Sequence, residues 1–124
     1  MSVGVEEYMI HGIGIDIIEI ERIEKAIKRR GKDFLKYVFT EKEIKYSQSR
    51  RFPVQHFAAR FAAKEAVFKA VGDNPKITWK DIEILNDKYG RPVCIFKDKK
   101  FKKKIFVSLS HTKNYAVANA VIAS

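Results

Sequence analysis

The sequence predicts an α+β fold: a single domain with an antiparallel sheet packed against helices, including one long central helix. The order of the segments supports this prediction. A strand-like segment comes first, helix-like segments follow, and the other strand-like segments come last, which is typical of α+β folds. No linker or repeat divides the 124 residues, a length that suits one domain. We expect a domain over residues 9–124 after an N-terminal extension at residues 1–8.

The bulk composition indicates a globular protein with an anionic partner. Hydrophobic residues make up 46%, and no apolar run approaches the roughly 20 residues that span a bilayer. The 25 Lys and Arg exceed the 15 Asp and Glu by a net charge of +10, which favours nucleic acid, an acidic protein or a phosphorylated ligand. The single Cys94 and an N-terminus unlike a secretory signal predict a cytoplasmic location without internal disulfides and without membrane association.

The first segments predict a strand followed by a helix. Over residues 10–18, isoleucines alternate with Gly12, Gly14 and Asp16, which is the two-residue period of a strand. The two glycines leave the face that carries Asp16 nearly bare. The next segment has isoleucines at helical spacing, acidic residues early and basic residues late, and Gly31 as its stop.

Three further helices are expected before residue 73. Residues 34–39 are apolar enough for a short helix, and Thr40 with Glu43 forms a capping-box pattern that opens another. The long helix begins at Pro53, which is tolerated in a first turn, and ends at Gly72, which can take a left-handed cap conformation.

The rest of the chain predicts four strands. Residues 81–86 and Pro92–Phe96 read as a hairpin around turn-forming residues 87–90. Residues 105–111 and 115–122 are two apolar segments joined by a short polar turn, and we expect them to pair as antiparallel strands.

The long helix carries four charged residues that permit two interpretations. Lys64 falls inside the apolar stripe, Glu65 and Lys69 share one flank, and Arg60 lies on the other flank. One interpretation is a core helix whose cations reach out to water, with Glu65 and Lys69 as an i,i+4 pair. The other is a phosphate and metal site on a rigid helix, which requires a second carboxylate from elsewhere.

Asp16 is the candidate for that second carboxylate. An acid in an apolar strand must be paired, protonated or bound to a metal, because burying a bare charge is costly. Its alternative role is to cap the helix that follows. Asp16 and Glu65 together offer the hard oxygen ligands that Mg²⁺ prefers alongside waters and phosphate oxygens.

A strand end rich in polar groups, residues 108–113, offers a further site. Ser110 and His111 are adjacent on a strand and therefore point to opposite faces, which argues against a Ser–His nucleophile. His111 and its neighbours could bind phosphate, or the hydroxyls could simply stabilise the turn. His11 and His56 lack metal-ligand spacing and are interpreted as structural.

Three segments together resemble a known family. Residues 12–23, 60–70 and 108–118 resemble, in order and in spacing, the three signature blocks of bacterial holo-acyl-carrier-protein synthases, the short type of 4'-phosphopantetheinyl transferase. The resemblance covers nearly everything after residue 8. It implies a Mg²⁺-dependent enzyme of fatty acid biosynthesis that transfers 4'-phosphopantetheine from CoA to a serine of apo-acyl-carrier protein. The other product would be adenosine 3',5'-bisphosphate.

The resemblance also implies roles for individual residues. Asp16 and Glu65 would bind the metal, and Lys69 would stabilise charge on the pyrophosphate. Glu65, directly or through a metal-bound water, would remove the proton from the carrier's serine. The residues implied in holding CoA are Arg60, Lys64, Lys69, His111 and Thr112.

Partners follow from the resemblance as well. Acidic carrier proteins of the family dock on the basic helix after the first strand, whose matching residues here are Arg22, Lys25, Lys28 and Arg29. At position 26 the family resemblance would favour a larger apolar residue, which would offer the carrier more contact area than Ala26 does. Short members of the family are homotrimers with active sites at subunit interfaces, so Asp16 and Glu65 could come from different chains.

The alternative from another class is a small basic RNA-binding protein. The net charge of +10 and the lysine-rich run at residues 97–104 favour it. The chain shows no aromatic-rich RNA motif, and its basic residues are scattered over several elements, so we do not expect nucleic acid as a partner.

Overall fold

The structure is a computed structural model that describes residues 9–72 and 76–124. The predicted extension at residues 1–8 lies outside the described residues. No described helix has both the length and the hydropathy needed to cross a membrane. The described elements are β1 (Ile10–Glu19), α1 (Ile20–Arg30), α2 (Lys32–Val38), α3 (Glu41–Gln48), α4 (Pro53–Val71), a 3-10 turn (Trp79–Asp81), β2 (Ile82–Asn86), β3 (Pro92–Phe96), β4 (Lys104–His111) and β5 (Tyr115–Ala123).

The strands form two antiparallel sheets. One has three strands in the order β1-β5-β4, and the other is the β2-β3 hairpin. Every pair is antiparallel, including β1 with the distant β5, where Asp16 lies opposite Ala118. The predicted α+β class is confirmed. The sheet is nevertheless divided, because β3 and β4 approach each other without backbone pairing and are joined by a turn at residues 98–101.

Local signals in the sequence end and begin the helices as predicted. The Thr40 hydroxyl accepts from the Glu43 N–H at 3.3 Å, and the Thr40 N–H donates to the Glu43 carboxylate at 2.8 Å, which completes the capping box of α3. Gly31 follows α1 at φ 56° and Gly72 follows α4 at φ 91°, both in the region that favours glycine. Pro53 occupies the first turn of α4.

Helix α4 lies directly on β1 because both surfaces carry small residues. A Cβ added at Gly14 would stand 2.9 Å from the Ala70 nitrogen and from the Ala66 carbonyl carbon, and one at Gly12 would meet the Ala70 backbone in the same way. Ala66 is fully buried and Ala70 nearly so. Because side chains two residues apart share one face of a strand, Asp16 comes next after the two glycines and stands beside α4.

The opposite face of the three-stranded sheet is uncovered. Ile13, Ile15 and Ile17 are 70%, 64% and 65% exposed, and Phe106 on β4 is 58% exposed. The alternation that predicted the strand thus places large apolar side chains on the side away from α4. A contiguous apolar face of this kind indicates a contact surface.

Candidate active site

Asp16, Glu65 and Lys69 come together where β1 meets α4. The Lys69 Nζ lies 3.2 Å from an Asp16 carboxylate oxygen and donates to the Ile15 carbonyl at 2.9 Å. Glu65 precedes Lys69 by one helical turn, and the charge of Asp16 acts on it. The ion-pair partner of Lys69 is therefore a residue of β1 rather than its i,i+4 neighbour.

The pKa of Glu65 is raised above its ordinary value. Burial is the largest cause, the nearby Asp16 carboxylate adds to it, and Lys69 partly opposes it. Two carboxylates beside one lysine leave excess negative charge in a half-buried place. A bound cation would lower the cost of this arrangement, because it would favour the charged form of both acids.

The donor set suits Mg²⁺ better than Zn²⁺. Across residues 9–72 and 76–124, no three His, Cys, Asp or Glu side chains gather to hold a metal. Mg²⁺ is commonly bound by one or two carboxylates together with waters and substrate phosphates, whereas Zn²⁺ in proteins takes three or four side-chain ligands. Asp16 and Glu65 would hold such an ion, and Lys69, with half its side chain exposed, lies at the open side.

Asp16 does not cap the following helix. Helix α1 begins after Glu19, and no side chain makes a cap hydrogen bond there. The side chain of Asp16 is 15% exposed and is paired with Lys69. The alternative role considered for Asp16 is therefore wrong. The sequence leaves open whether Asp16 and Glu65 meet within one chain or across an interface, and within one chain the charge of Asp16 already acts on Glu65.

Lys64 does not have the place expected of a CoA contact. Its side chain has no exposed surface, and its Nζ lies 2.6 Å from the Glu43 carboxylate. The same Nζ donates to the Val38 carbonyl at 2.7 Å and to the Trp79 carbonyl at 3.0 Å. These three acceptors match the three N–H bonds of an ammonium group. The position of Lys64 in the apolar stripe is explained by this buried pair, and the expected phosphate contact is corrected accordingly.

Arg60 is also turned inward. It is 2% exposed, and its Nε donates to the Ile84 carbonyl at 3.1 Å. Its guanidinium lies over the Tyr46 ring at 4.2 Å from the centroid. The expected direct contact between Arg60 and a phosphate does not match this position. What Arg60 supplies to its surroundings is positive charge, which helps to lower the pKa of His56.

His111 belongs to a basic cluster that the sequence reasoning did not find. His111 ends β4, and its ring centroid lies 5.9 Å from that of His56, which contacts Tyr46 in turn. The pKa of His56 is lowered, first by burial and then by Arg60, His111 and Arg50. His56 was interpreted as structural on metal-ligand spacing alone. Its position one helical turn from Arg60 was the signal that could have found it.

Thr112 stabilises the turn after β4. Its hydroxyl oxygen accepts from the N–H groups of Asn114 at 3.3 Å and Tyr115 at 3.1 Å. The turn-stabilising interpretation is therefore correct for this hydroxyl. The Thr112 O–H hydrogen is separate from these contacts and leaves the residue a donor at the exposed strand end.

The basic face of α1 lines a shallow surface depression of about 640 Å³. Lys25 lies 3.2 Å from Glu21, and Lys28 lies 3.8 Å from Glu24, so both lysines have acidic neighbours on their own helix. No acidic partner is found for Arg22 or Arg29 among the described residues. The residues around the depression are Arg22, Lys25, Ala26, Lys28 and Arg29.

Known sequences place the chain in one family. The model of the 4'-phosphopantetheinyl transferase superfamily matches residues 12–120. The holo-acyl-carrier-protein synthase of Thermodesulfovibrio yellowstonii is 52% identical over 114 residues, which cover 92% of this chain and 99% of that protein. That of Protochlamydia amoebophila is 47% identical over 122 residues, which cover 94% of this chain and 100% of that protein.

Solved structures agree with the sequences. The holo-acyl-carrier-protein synthase of Bacillus anthracis, solved in complex with CoA (3',5'-ADP), has a TM-score of 0.83 and 39% identity over 94% of this chain and 98% of that one. The Helicobacter pylori enzyme in complex with coenzyme A has a TM-score of 0.80 and 32% identity over 90% of this chain and 99% of that one. The resemblance drawn from the three sequence segments is confirmed, and the chain belongs to the holo-acyl-carrier-protein synthase family of 4'-phosphopantetheinyl transferases.

Proposed function

We propose that this protein is a cytoplasmic, Mg²⁺-dependent transferase that moves 4'-phosphopantetheine from CoA to a serine of apo-acyl-carrier protein. The serine oxygen forms a bond to the phosphorus on the pantetheine side of the CoA pyrophosphate. The bond from that phosphorus to the bridging oxygen breaks, and adenosine 3',5'-bisphosphate leaves. The observation that carries the proposal is the meeting of Asp16, Glu65 and Lys69 within one chain.

Asp16 and Glu65 would hold the Mg²⁺ ion, because they are the two carboxylates of this site and a cation between them would reduce their mutual repulsion. When bound, the ion would offset the negative charge of the pyrophosphate oxygens. The remaining chemistry belongs to side chains of the chain itself. None of them needs to act as a nucleophile, since the attacking oxygen comes from the carrier.

Lys69 would stabilise the charge that develops on the pyrophosphate. Half of its side chain is exposed, and its ammonium group already lies at the carboxylate pair. In the transition state, negative charge grows on the bridging oxygen and on the leaving phosphate, so a positioned cation lowers the barrier electrostatically. The Ile15 carbonyl keeps the ammonium group at the sheet edge.

Glu65 is the candidate for accepting the serine proton, directly or through water. This role rests on the family resemblance and on the place of Glu65 beside Asp16 and Lys69, because its raised pKa belongs to the site without a metal. Its position on a helix that packs directly against β1 holds the carboxylate still.

The adenosine end of CoA would be held at the basic cluster around His111. His111 and Thr112 lie exposed at the end of β4, and both can donate hydrogen bonds to phosphate oxygens. Arg60 adds charge from inside the chain rather than by contact. Structures of the Bacillus anthracis and Helicobacter pylori enzymes hold CoA, which supports CoA as the donor here.

The carrier would dock on the basic face of α1. The depression is lined by four cations with Ala26 among them, so its attraction for an acidic protein is electrostatic and its apolar grip is small. Arg22 and Arg29 contribute more than the two lysines, because the lysines are already neighbours of Glu21 and Glu24.

A homotrimer with the active sites near its subunit interfaces would cover the exposed apolar face of the sheet, which lies opposite α4. Ile13, Ile15, Ile17 and Phe106 form an apolar surface that a single chain leaves in water. A second chain packed there would bury this surface. The catalytic carboxylates would still come from one chain, and a neighbour would add walls to the site.

The transfer assay tests this proposal. The protein is incubated with CoA, an apo-acyl-carrier protein and Mg²⁺, and the carrier is examined by mass spectrometry. We expect the mass of one phosphopantetheine to be added to the carrier, adenosine 3',5'-bisphosphate to be released in equal amount, and both to disappear with a chelator. No transfer to any carrier would refute the function, and salt-sensitive RNA binding without transfer would favour the RNA-binding alternative.

A further inference from the structure

We propose that Glu43 is a positioning residue for the transfer reaction: by holding Lys64 inside the protein, it fixes the orientation in which α4 presents Glu65 and Lys69 to Asp16. This inference rests on the proposed function. It assigns a role to a residue that the sequence marked only as part of a helix cap.

Glu43 and Lys64 form a buried clamp with every polar atom engaged. Both side chains are completely buried, and their charged groups lie 2.6 Å apart. The two oxygens of Glu43 also accept from the Thr40 N–H at 2.8 Å and from the Ile84 N–H at 2.7 Å. The Lys64 ammonium group donates its other two hydrogen bonds to the backbone carbonyls of Val38 and Trp79. A buried charge pair is tolerated only when its geometry is good and its remaining hydrogen bonds are made, and both conditions are met.

The clamp joins α4 to four separate parts of the chain. Glu43 and Thr40 belong to α3 and its cap, Ile84 to β2, Val38 to the end of α2 and Trp79 to the 3-10 turn. None of these parts belongs to the β1-β5-β4 sheet. Lys64 is two positions before Ala66, or about 200° around the helix, so the clamp holds α4 from the side opposite its contact with Gly14.

Lys64 is the residue immediately before Glu65 on α4. Two restraints then determine where Glu65 points. The contacts of Gly12 and Gly14 set how close α4 lies to β1, and the clamp sets how α4 is rotated about its own axis. Neighbouring residues on a helix are about 100° apart, so holding Lys64 in one direction also fixes the direction of Glu65 about the helix axis. Loss of the clamp frees this rotation without removing any group that touches substrate.

The test separates positioning from stability with three variants: Glu43→Gln, Lys64→Met and the double variant E43Q/K64M. Each single variant leaves one buried charge without its partner and should melt at least about 10 °C below the wild type. The double variant removes both charges with little change in volume, so its Tm should return to within a few degrees of the wild type.

Catalysis and metal binding should not return with the Tm. In the double variant we expect kcat to remain at least about tenfold below that of the wild type, with the KM for CoA changed less than about threefold. Mn²⁺ affinity in the presence of CoA, measured from the EPR signal of free Mn²⁺, should weaken about tenfold. The Mn²⁺ measurement reports how well the two carboxylates bind a metal ion, without any turnover.

Phe96→Ala provides the matched control for lost stability. It removes a ring stacked at 4.5 Å on Phe101 and leaves Glu43 and Lys64 themselves unchanged. At 15 °C, where circular dichroism shows each variant folded, Phe96→Ala should keep the wild-type kcat and Mn²⁺ affinity. Glu43→Gln measured in the same way should show the lower kcat and the weaker Mn²⁺ affinity. This comparison tests positioning even if the double variant does not fold.

Each outcome decides the inference. A double variant that regains kcat and Mn²⁺ affinity together with its Tm would show that Glu43 acts only on stability. The same conclusion follows if Glu43→Gln behaves like Phe96→Ala. An inactive wild type, by contrast, would overturn the proposed function, and the Mn²⁺ readings would still report whether the clamp orients the carboxylates.

Discussion

Replacing Gly14 by alanine should damage the active site without touching any catalytic group. The added Cβ would stand 2.9 Å from the Ala66 carbonyl carbon and from the Ala70 nitrogen, and closer still to the Ala66 oxygen. Ordinary contact begins at 3.4 Å, so these two atoms must move away by about 0.5 Å and the Ala66 oxygen by more, which forces α4 away from β1. This movement separates Glu65 and Lys69 from Asp16.

The size of the effect follows from the displacement. Overpacking of this kind costs about 1–3 kcal/mol, which corresponds to a Tm lower by roughly 5–15 °C for a domain of this size. A misplacement of about 1 Å at reacting groups can cost about a hundredfold in rate, so kcat for Gly14→Ala should fall roughly 10- to 100-fold. The assay is phosphopantetheine transfer at a temperature where the variant is folded, with the Tm from circular dichroism.

Gly12→Ala is the comparison variant. Its Cβ meets the Ala70 backbone about as closely as that of Gly14 meets Ala66, but it lies farther along β1 from Asp16. Its Tm should fall by a similar amount and its kcat by less. Wild-type kcat in Gly14→Ala would refute the link between the glycine contact and catalysis.

Three further predictions concern pH, docking and assembly. Folding lowers the pKa of His56 from its ordinary value of 6.5, so below that pH the unfolded chain binds the proton more readily than the folded chain. The Tm of the wild type should therefore fall as the pH is lowered from 8 to 5. His56→Gln should show a smaller fall in the same melting curves. In steady-state assays at low salt, Arg22→Ala should raise the KM for the carrier about tenfold at unchanged kcat. Lys25→Ala should raise it only about twofold, because Lys25 is already paired with Glu21. Ile13→Asp should convert the oligomer to a monomer by light scattering, and an unchanged mass would contradict the proposed trimer contact.

Local features of the sequence predicted the elements well because their physical causes are local. The alternation around Gly12 and Gly14 predicted β1 and the bare face on which Asp16 stands, and the structure shows why the glycines are needed. The Thr40–Glu43 pattern predicted a helix start that the structure confirms. Pro53 and Gly72 predicted the ends of α4.

Long-range pairing was the part that sequence could not supply. Glu43 and Lys64 are 21 positions apart, and no spacing rule relates a residue of one helix cap to a residue in the stripe of another helix. The sequence therefore predicts a phosphate contact for Lys64, whereas its side chain points inward. The same holds for Arg60, because its partner Ile84 lies on a strand 24 positions away.

The division of the strands into two sheets also depends on distant contacts. Sequence predicts which segments are strands and which neighbours form hairpins, and β2-β3 and β4-β5 were expected on this ground. Whether β3 continues onto β4 depends on how the hairpin packs against α4 and α3. No local pattern reports that packing.

A double-mutant cycle on Asp16 and Glu65 tests the central claim, that the two carboxylates act as one metal-dependent site. Phosphopantetheine transfer is measured for Asp16→Asn, for Glu65→Gln and for the double variant, with Mg²⁺ in excess. We predict that each single variant loses at least about a thousandfold in kcat/KM and that the double variant loses no more, because residues that act as a unit are strongly non-additive. Losses that multiply in the double variant, or near-normal transfer by either single variant, would contradict the account.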